Sequence, residues 1–248
     1  MMTTSTNRTA VSPREVPAVP ALPAVATPAA AKRKGVFRSS MERHGFWKTF
    51  ADSSIRFANR YVYFQILKGV TIERADPKFL KCDEKYRGEF IPNDLLRDLV
   101  ANPENELDDP FLDRVLPQGD ECYGFFQGAE LAGYGWYSNK PSRVDVRGLL
   151  LHFDPQYMYM YKGHTHRKHR GQRLHAVGMT RALDAYVKRG YKGLVSYVAW
   201  ENTDSLKSCY RMGYKDFGNV YIVRIFGRYF FYNGAGCEKY GFCLKREI

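Results

Sequence analysis

Residues 161–175 read Tyr-Lys-Gly-His-Thr-His-Arg-Lys-His-Arg-Gly-Gln-Arg-Leu-His, and they join a predicted strand to a predicted helix. The strand is predicted over 157–165, where tyrosine and methionine alternate at first and aromatic side chains are frequent. The helix is predicted over 171–189, where apolar residues share one face and Gly190 follows two cations. A short basic loop of this kind directs the first unpaired N–H groups of the helix toward the strand end. Such a turn is a ready site for a pyrophosphate.

Residues 201–214 form a second informative stretch, which reads Glu-Asn-Thr-Asp-Ser-Leu-Lys-Ser-Cys-Tyr-Arg-Met-Gly-Tyr. The apolar run Gly193–Trp200 precedes it and predicts a buried strand. A helix is predicted over Thr203–Met212, with Asn202 at its start and Gly213 at its end. The two stretches therefore predict a strand, a helix, a strand and a helix in succession.

Together, the two stretches resemble the GNAT superfamily of N-acetyltransferases. The family's cofactor loop reads Arg/Gln-x-x-Gly-x-Gly/Ala, and residues 170–175 match it as Arg-Gly-Gln-Arg-Leu-His. The family's later motif, Asn-x-x-Ser/Ala-x-x-x-Tyr-x-x-x-Gly-Phe/Tyr, is met in register by Asn202, Ser205 and Gly213-Tyr214. The resemblance implies an α/β fold: a GNAT-type mixed central sheet, flanked by helices and splayed between its two central parallel strands.

The resemblance also implies roles for single residues. The strand edge from Gly163 to Thr165 would pair with the pantetheine arm of coenzyme A, and Asn202 would bond the same arm from the opposite strand. Ser205 belongs to the same motif. The pyrophosphate would be held by the backbone N–H groups of six consecutive residues: Arg170, Gly171, Gln172, Arg173, Leu174 and His175.

The sequence departs from the family pattern at three positions. Arg173 and His175 stand where glycines are usual, and Cys209 stands at the family's tyrosine position. Tyr210 follows it, and the resemblance implies that a tyrosine here protonates the leaving thiolate. A shift of one residue turns a helical side chain by about 100°. Tyr210 is therefore expected either to reach the thiolate or to pack as an aromatic residue.

Two further residues are candidates for the base that deprotonates the amine. His164 lies at the predicted strand end, and Glu201 follows the next predicted strand. The alternative for both is a solvated surface position. The histidines of 164–175 have no cysteine or carboxylate among them and match no tetrahedral zinc spacing, so we predict no metal site.

Composition limits the class of protein. The chain has 248 residues, of which 44% are hydrophobic, 15% aromatic and 26% charged, so it is not disordered throughout. Its 5 cysteines are scattered and do not predict a disulfide framework. No apolar run is long enough to span a membrane and no signal-peptide pattern is present, which favours a cytoplasmic protein. The net charge of +12 favours a polyanionic partner.

The chain is expected to have three parts. Residues 1–35 are rich in Pro and Ala and predict a disordered tail, and 36–69 predict a basic helical extension. The helix, over 41–68, would pack on the following domain or touch an anionic membrane surface. Residues 70–248 would form the GNAT-like domain. Its other predicted elements are helices near 93–101 and 109–116, a hairpin of 122–127 and 131–137, and strands at 220–226, 228–232 and 240–245.

The expected function is N-acyl transfer, in which an acetyl or longer acyl group passes directly from a thioester to a primary amine on a small molecule. The donor would be acetyl-CoA or another acyl-CoA. One alternative is an N-acyl amino acid synthase that takes its acyl group from acyl carrier protein, whose acidic surface the basic C-terminal third would suit. Another is a non-catalytic module that binds an acyl thioester or a polyanion. No nucleic-acid partner is expected.

Overall fold

This computed structural model describes residues 62–146 and 148–247, which form eleven strands and five α-helices. The strands are β1 (Val62–Ile72), β2 (Tyr86–Phe90), β3 (Glu121–Gln127), β4 (Glu130–Ser138), β5 (Ser142–Arg143), β6 (Leu149–His152), β7 (Tyr157–Thr165), β8 (Gly193–Ala199), β9 (Lys215–Ile225), β10 (Arg228–Asn233) and β11 (Cys243–Arg246). The α-helices are α1 (Asn93–Leu99), α2 (Asp109–Val115), α3 (Leu174–Lys188), α4 (Thr203–Met212) and α5 (Ala235–Glu238). Short 3-10 helices lie at Pro77–Phe79, Pro103–Asn105 and Arg167–His169.

The central sheet has eight strands in the order β10-β9-β1-β8-β7-β4-β3-β2. Strands β7 and β8 pair in parallel, and the other neighbouring pairs in the described residues are antiparallel. A second, three-stranded sheet has the order β11-β6-β5. The fold is thus the mixed, helix-flanked α/β sheet that the sequence predicted.

The central sheet is covered on both faces. Helices α3 and α4 pack on one face, here called the α3 face, against side chains such as Met158 and Leu194. On the opposite face, called the α2 face, α1 and α2 cover β3 and β4, and the three-stranded sheet covers β7, β8, β1 and β9. Each large side chain buried in these layers contributes about 1.5–3 kcal/mol to stability.

Most of the predicted elements are confirmed. Strand β7 has the predicted bounds, and the predicted hairpin is formed by β3 and β4, with Gly128 at φ 62° in its turn. Helices α1, α2 and α4 lie where they were expected. Helix α3 begins at Leu174, three residues later than predicted, because Arg173 before it has left-handed backbone angles. Strands β2, β5 and β6 and the short helix α5 were not predicted.

The prediction of a helix is wrong for residues 62–68, which belong to β1. This strand lies between β8 and β9 and pairs antiparallel with both, so the predicted domain boundary after residue 69 falls inside a central strand. Residues 41–61 of the predicted helix, and the predicted tail, lie outside the described residues. None of the described helices is long and apolar enough to cross a membrane.

Candidate active site

The parallel strands β7 and β8 separate halfway along their length. They pair from Tyr157 opposite Gly193 to Tyr159 opposite Val195, and the register ends there. Just beyond, the Ser196 hydroxyl donates a hydrogen bond of 2.8 Å to the carbonyl oxygen of Met160, so a side chain makes the last link between the strands. The edge of β7 beyond Met160 is therefore left without a β8 partner.

A bulge in β7 accompanies the separation. On its other side β7 pairs with β4, where Lys162 lies opposite Trp136 but Met160 lies opposite Tyr137. Tyr161 is the extra residue in this register. A bulge bends its strand and changes the direction of a side chain, and here it brings Tyr161 to the point where the strands separate.

A cavity of about 290 Å³, the central cavity, fills the gap between the strands. On the α3 face it is lined by apolar and polar side chains of β7, β8, α3 and α4. These include Met160, His175, Met179, Val198, Asn202, Ser205, Cys209 and Met212. On the α2 face it is lined by Tyr159, Tyr161, Tyr197 and Asp145. The cavity therefore passes through the sheet.

A larger groove of about 630 Å³, the side groove, lies on the α2 face. It shares Asp145, Tyr161 and Tyr197 with the central cavity, so the two spaces meet at these side chains. The rest of its lining includes Phe111, Arg114, Asp120, Arg143, Lys162 and Glu247. Two molecules that approach from opposite faces of the sheet can meet at the separated strands.

The N-terminus of α3 has the features of an anion site. Arg173 occupies the N-cap position without a side-chain hydrogen bond, and the first turn contains no acidic residue. The N–H groups of that turn therefore have no intrahelical acceptor. Arg167, Lys168 and Arg170 precede the helix, although Lys168 is paired with Glu130 and Arg170 bonds the carbonyl oxygen of Thr165. The described residues therefore fit a pyrophosphate or a similar polyanion.

The two departures in the loop have different structural consequences. Arg173 has φ 58°, the left-handed conformation that favours glycine, so the backbone keeps the shape that the missing glycine would allow. The ring of His175 lies against Gly163, since a Cβ on that glycine would come within 2.7 Å of Cε1 of the ring. His175 as a whole is exposed to solvent, yet desolvation lowers the pKa of its imidazole ring. A lowered pKa favours the neutral form of the ring.

The residues of the second motif, Asn202, Ser205 and Gly213, form the two ends of α4. The side chain of Asn202 accepts a hydrogen bond of 3.1 Å from the backbone N–H of Ser205, which starts α4, and Gly213 ends the helix at φ 96°. Asn202 and Ser205 also line the central cavity. The same two residues thus start the helix and lie beside the gap between β7 and β8.

Tyr210 is not among the residues that line the cavity. Its side chain is 43% exposed, and its hydroxyl donates to Asp216 of β9 at 2.8 Å. Cys209, one position earlier, lines the cavity instead. Because successive helical residues differ in direction by about 100°, the one-residue shift in the motif is not compensated. In this structure the Tyr210 hydroxyl is thus bonded to Asp216 and does not line the cavity, and its role as the acid stays a prediction.

The two candidate bases also lie outside both spaces. Nδ1 of His164 is 3.2 Å from a carboxylate oxygen of Glu106, and its ring packs between those of Tyr134 and His166. Glu201 is exposed in the turn after β8. Neither residue is among those that line the central cavity or the side groove. The positions of these two side chains give no support to the role of base.

Four residues that the sequence did not single out lie where the two spaces meet or beside that point. The Tyr197 hydroxyl donates to Asp145 at 3.1 Å, and the Tyr161 hydroxyl donates to Asp120 at 2.8 Å. Desolvation raises the pKa of Asp120, and burial raises the pKa values of both tyrosines. The alternation of tyrosines at 157, 159 and 161 was a signal that they share a face. Asp120 and Asp145 lie in loops, and no sequence pattern indicated a role for them.

Comparison with known proteins finds no matching family model and no matching curated protein. Solved structures do match. One is a GCN5-related N-acetyltransferase-like protein from Streptococcus suis, with 12% identity, TM-score 0.45, and coverage of 72% of this chain and 68% of that one. A putative GNAT acetyltransferase from Novosphingobium aromaticivorans gives 11% identity, TM-score 0.45, and coverage of 64% and 63%.

An aminoglycoside acetyltransferase from an uncultured soil metagenomic sample also matches, with 11% identity, TM-score 0.41, and coverage of 53% of this chain and 89% of that one. The chain spans less than two thirds of the length of several of the other matched structures. Solved structures that this chain resembles thus include GNAT-family N-acetyltransferases, the superfamily that its two sequence motifs resemble.

Proposed function

We propose that this chain is an acyltransferase that moves an acyl group from a thioester to a primary amine by direct transfer. The observation that carries the proposal is the central cavity, which passes through the sheet where β7 and β8 separate. Direct transfer needs two substrates held against each other without a protein nucleophile between them. A passage open to both faces meets that need.

The donor thioester fits the α3 face. Its arm can lie along the unpaired edge of β7 from Gly163 to Thr165, as an added strand does. Met160, Met179 and Met212 offer an apolar lining beside it. Asn202 and Ser205 face it from α4. If the donor is coenzyme A, its pyrophosphate fits the N–H groups and cations of residues 170–175.

The acceptor amine fits the side groove on the α2 face. There it would meet the thioester carbonyl beside Tyr161, the extra residue of the bulge. A bulge leaves its extra residue outside the regular ladder, and we expect the Tyr161 N–H group to bond the oxyanion that forms when the amine attacks. The aromatic rings of Tyr159, Tyr161 and Tyr197 lie beside this point, and an apolar neighbour strengthens such a bond by lowering the local dielectric constant.

The identity of the donor is tested by calorimetry and native mass spectrometry with acetyl-CoA, a long-chain acyl-CoA and acyl-loaded carrier protein. Tight binding of acetyl-CoA supports acetyl transfer, whereas selective binding of the loaded carrier protein supports the N-acyl amino acid synthase. A thiol-release assay with spermidine, L-lysine and glycine then tests transfer. Free coenzyme A serves as the matched control, because it binds the same loop without an acyl group to transfer.

A non-catalytic module is the second candidate, and the position of Tyr210 favours it. With its hydroxyl bonded to Asp216, this tyrosine offers no proton to a leaving thiolate in the cavity. A module predicts donor binding without thiol release for any of the amines. Binding of no donor at all rejects the enzyme and the thioester-binding module and leaves the polyanion-binding module, whose affinity would fall steeply with salt.

A further inference from the structure

Asp120 is a buried carboxylate that is held by two hydroxyl groups. It is only 6% exposed and lies in the loop just before β3. One carboxylate oxygen accepts from the Ser138 hydroxyl at 2.5 Å, and the other accepts from the Tyr161 hydroxyl at 2.8 Å. A carboxylate in this position costs free energy to desolvate, and the two bonds offset part of that cost.

Tyr161 connects this carboxylate to the place where the two substrates would meet. Its side chain lines both the central cavity and the side groove, and Asp120 lines the side groove behind it. In the hydrogen bond to Asp120 the Tyr161 hydroxyl is the donor, so its oxygen lone pairs remain able to accept a proton from the side groove. The second carboxylate of the region, Asp145, is exposed and bonds Tyr197 instead.

We propose that Tyr161 and Asp120 form the proton relay of the acceptor amine. This inference rests on the proposed function. The ammonium of the acceptor transfers one proton to the oxygen of Tyr161 while the Tyr161 hydroxyl passes its own proton to Asp120. Tyr161 is the catalytic residue of the pair, because it touches the amine, and Asp120 acts through it.

The remaining steps conserve atoms and charge. The neutral amine nitrogen attacks the thioester carbonyl carbon, a C–N bond forms, and the carbonyl oxygen becomes an oxyanion. When the C–S bond breaks, the thiolate takes the second proton that the nitrogen loses. Asp120 then releases its proton to water in the side groove, so each turnover yields an amide, a thiol and one proton. No separate acid such as Tyr210 is required.

The charges around Asp120 suit a proton acceptor. Lys140 follows β4 and Arg114 lies on α2, and both lower the pKa of Asp120, as do the bonds from Ser138 and Tyr161. Desolvation outweighs all four, so the pKa of Asp120 lies above its ordinary value of 3.8. A raised pKa makes the carboxylate a better proton acceptor.

The test is the pH profile of kcat for thiol release at saturating amine, measured on the full chain with acetyl-CoA. Asp120→Asn is expected to lower kcat by about a hundredfold and to remove the acidic limb of the profile. Tyr161→Phe is expected to lower kcat similarly. Ser138→Ala removes a bond that lowers the pKa of Asp120, so its acidic limb is expected to shift to higher pH.

Asp113→Asn is the matched control, because it neutralises an aspartate on α2 whose side chain is 64% exposed and paired with Arg97. It should leave the profile unchanged. Acetyl-CoA affinity and the thermal midpoint, measured for every variant, separate a lost relay from a lost fold or donor site. An Asp120→Asn variant that folds, binds acetyl-CoA and keeps both its rate and its acidic limb overturns the relay alone. A wild-type protein that releases no thiol with any of the three amines overturns the proposed function, and the relay with it.

Discussion

The α3 side of the central cavity and the side groove are built from different kinds of sequence. The first comes mainly from two stretches, 160–179 and 196–212, that each contain a strand end and the start of a helix. The side groove is assembled from residues spread between 111 and 247, on one helix, several strands and the loops beside them. A site made of helix ends leaves a local sequence signature, whereas a site made across the sheet does not.

The physical reason lies in the range of the interactions. Asn202 caps α4 through a bond to a residue three positions away, and Arg173 sets the start of α3 by its own backbone angles. The bond between Tyr161 and Asp120 joins residues 41 positions apart, and that between Tyr197 and Asp145 joins residues 52 apart. The two helix starts are therefore determined by residues close in sequence, whereas the two tyrosine–aspartate bonds form only when the sheet is complete.

Asp145→Asn is expected to have the largest effect on the amine site without an effect on the donor site. The change removes a carboxylate where the side groove meets the cavity, and loss of a charged hydrogen bond costs about 1.5–3 kcal/mol. The KM of a cationic amine is therefore expected to rise by a factor of about 10 to 150, while acetyl-CoA affinity stays constant. Steady-state kinetics and calorimetry measure the two effects. An unchanged KM would place the amine elsewhere.

Asn202→Ala is expected to act on the opposite side. Loss of the cap costs about 1 kcal/mol of unfolding free energy, and loss of a polar group beside the donor weakens acetyl-CoA binding without changing the KM of the amine. Asn202→Asp keeps the cap and serves as the control for stability. Denaturant unfolding and calorimetry are the measurements, and equal weakening of both substrates would show that the two sites are not separate.

Arg173→Gly is expected to stabilise the fold slightly while it weakens donor binding. Glycine removes the strain of φ 58°, which is worth up to about 1 kcal/mol, but the substitution also removes a cation from the loop. Arg170→Gly is the control, because residue 170 has φ −64° and gains no relief from glycine. A loss of stability in Arg173→Gly would mean that the arginine side chain makes compensating contacts.

The smallest effect is expected from Tyr210→Phe. The variant loses the bonds to Asp216 at an exposed position, so the unfolding free energy should fall by less than about 0.5 kcal/mol and turnover should not change. Thiol release and thermal unfolding are the measurements. A large loss of turnover would restore Tyr210 as the acid and would require α4 to rotate when substrate binds.

The sequence predicted the parts of the fold that depend on neighbours. The β3–β4 hairpin, the end of α3 at Gly190 and the capped α4 follow from turn residues and helical periodicity. It failed at β1, whose Phe64 and Leu67 continue a helical spacing that begins in the sequence at Phe57 and Tyr61. Residues 69–72 of this strand are buried on both sides by partners far away in the chain, and such burial has no short-range pattern.

The site was predicted to a similar extent. The basic loop before α3 and the cap Asn202 could be predicted because caps and helix ends are local, whereas their binding of a donor stays a prediction. Tyr161 stood in the first stretch, but only a bulge against β4 distinguishes it from the other tyrosines of β7. Asp120 gave no signal, because a carboxylate before a strand is ordinarily solvated and only the surrounding sheet buries it.

The position of β1 has a consequence for how the molecule is made. Of the described strands, β1 leaves the ribosome first, but its two partners, β8 and β9, leave it only after β2 to β7. Until β8 and β9 are made, the apolar residues of β1 lack their native partner strands, which makes the chain prone to aggregation. Pairing over such a separation makes folding slow. Truncations or fusions that disturb β1 should therefore lower the yield of folded protein far more than changes at the edge strand β10.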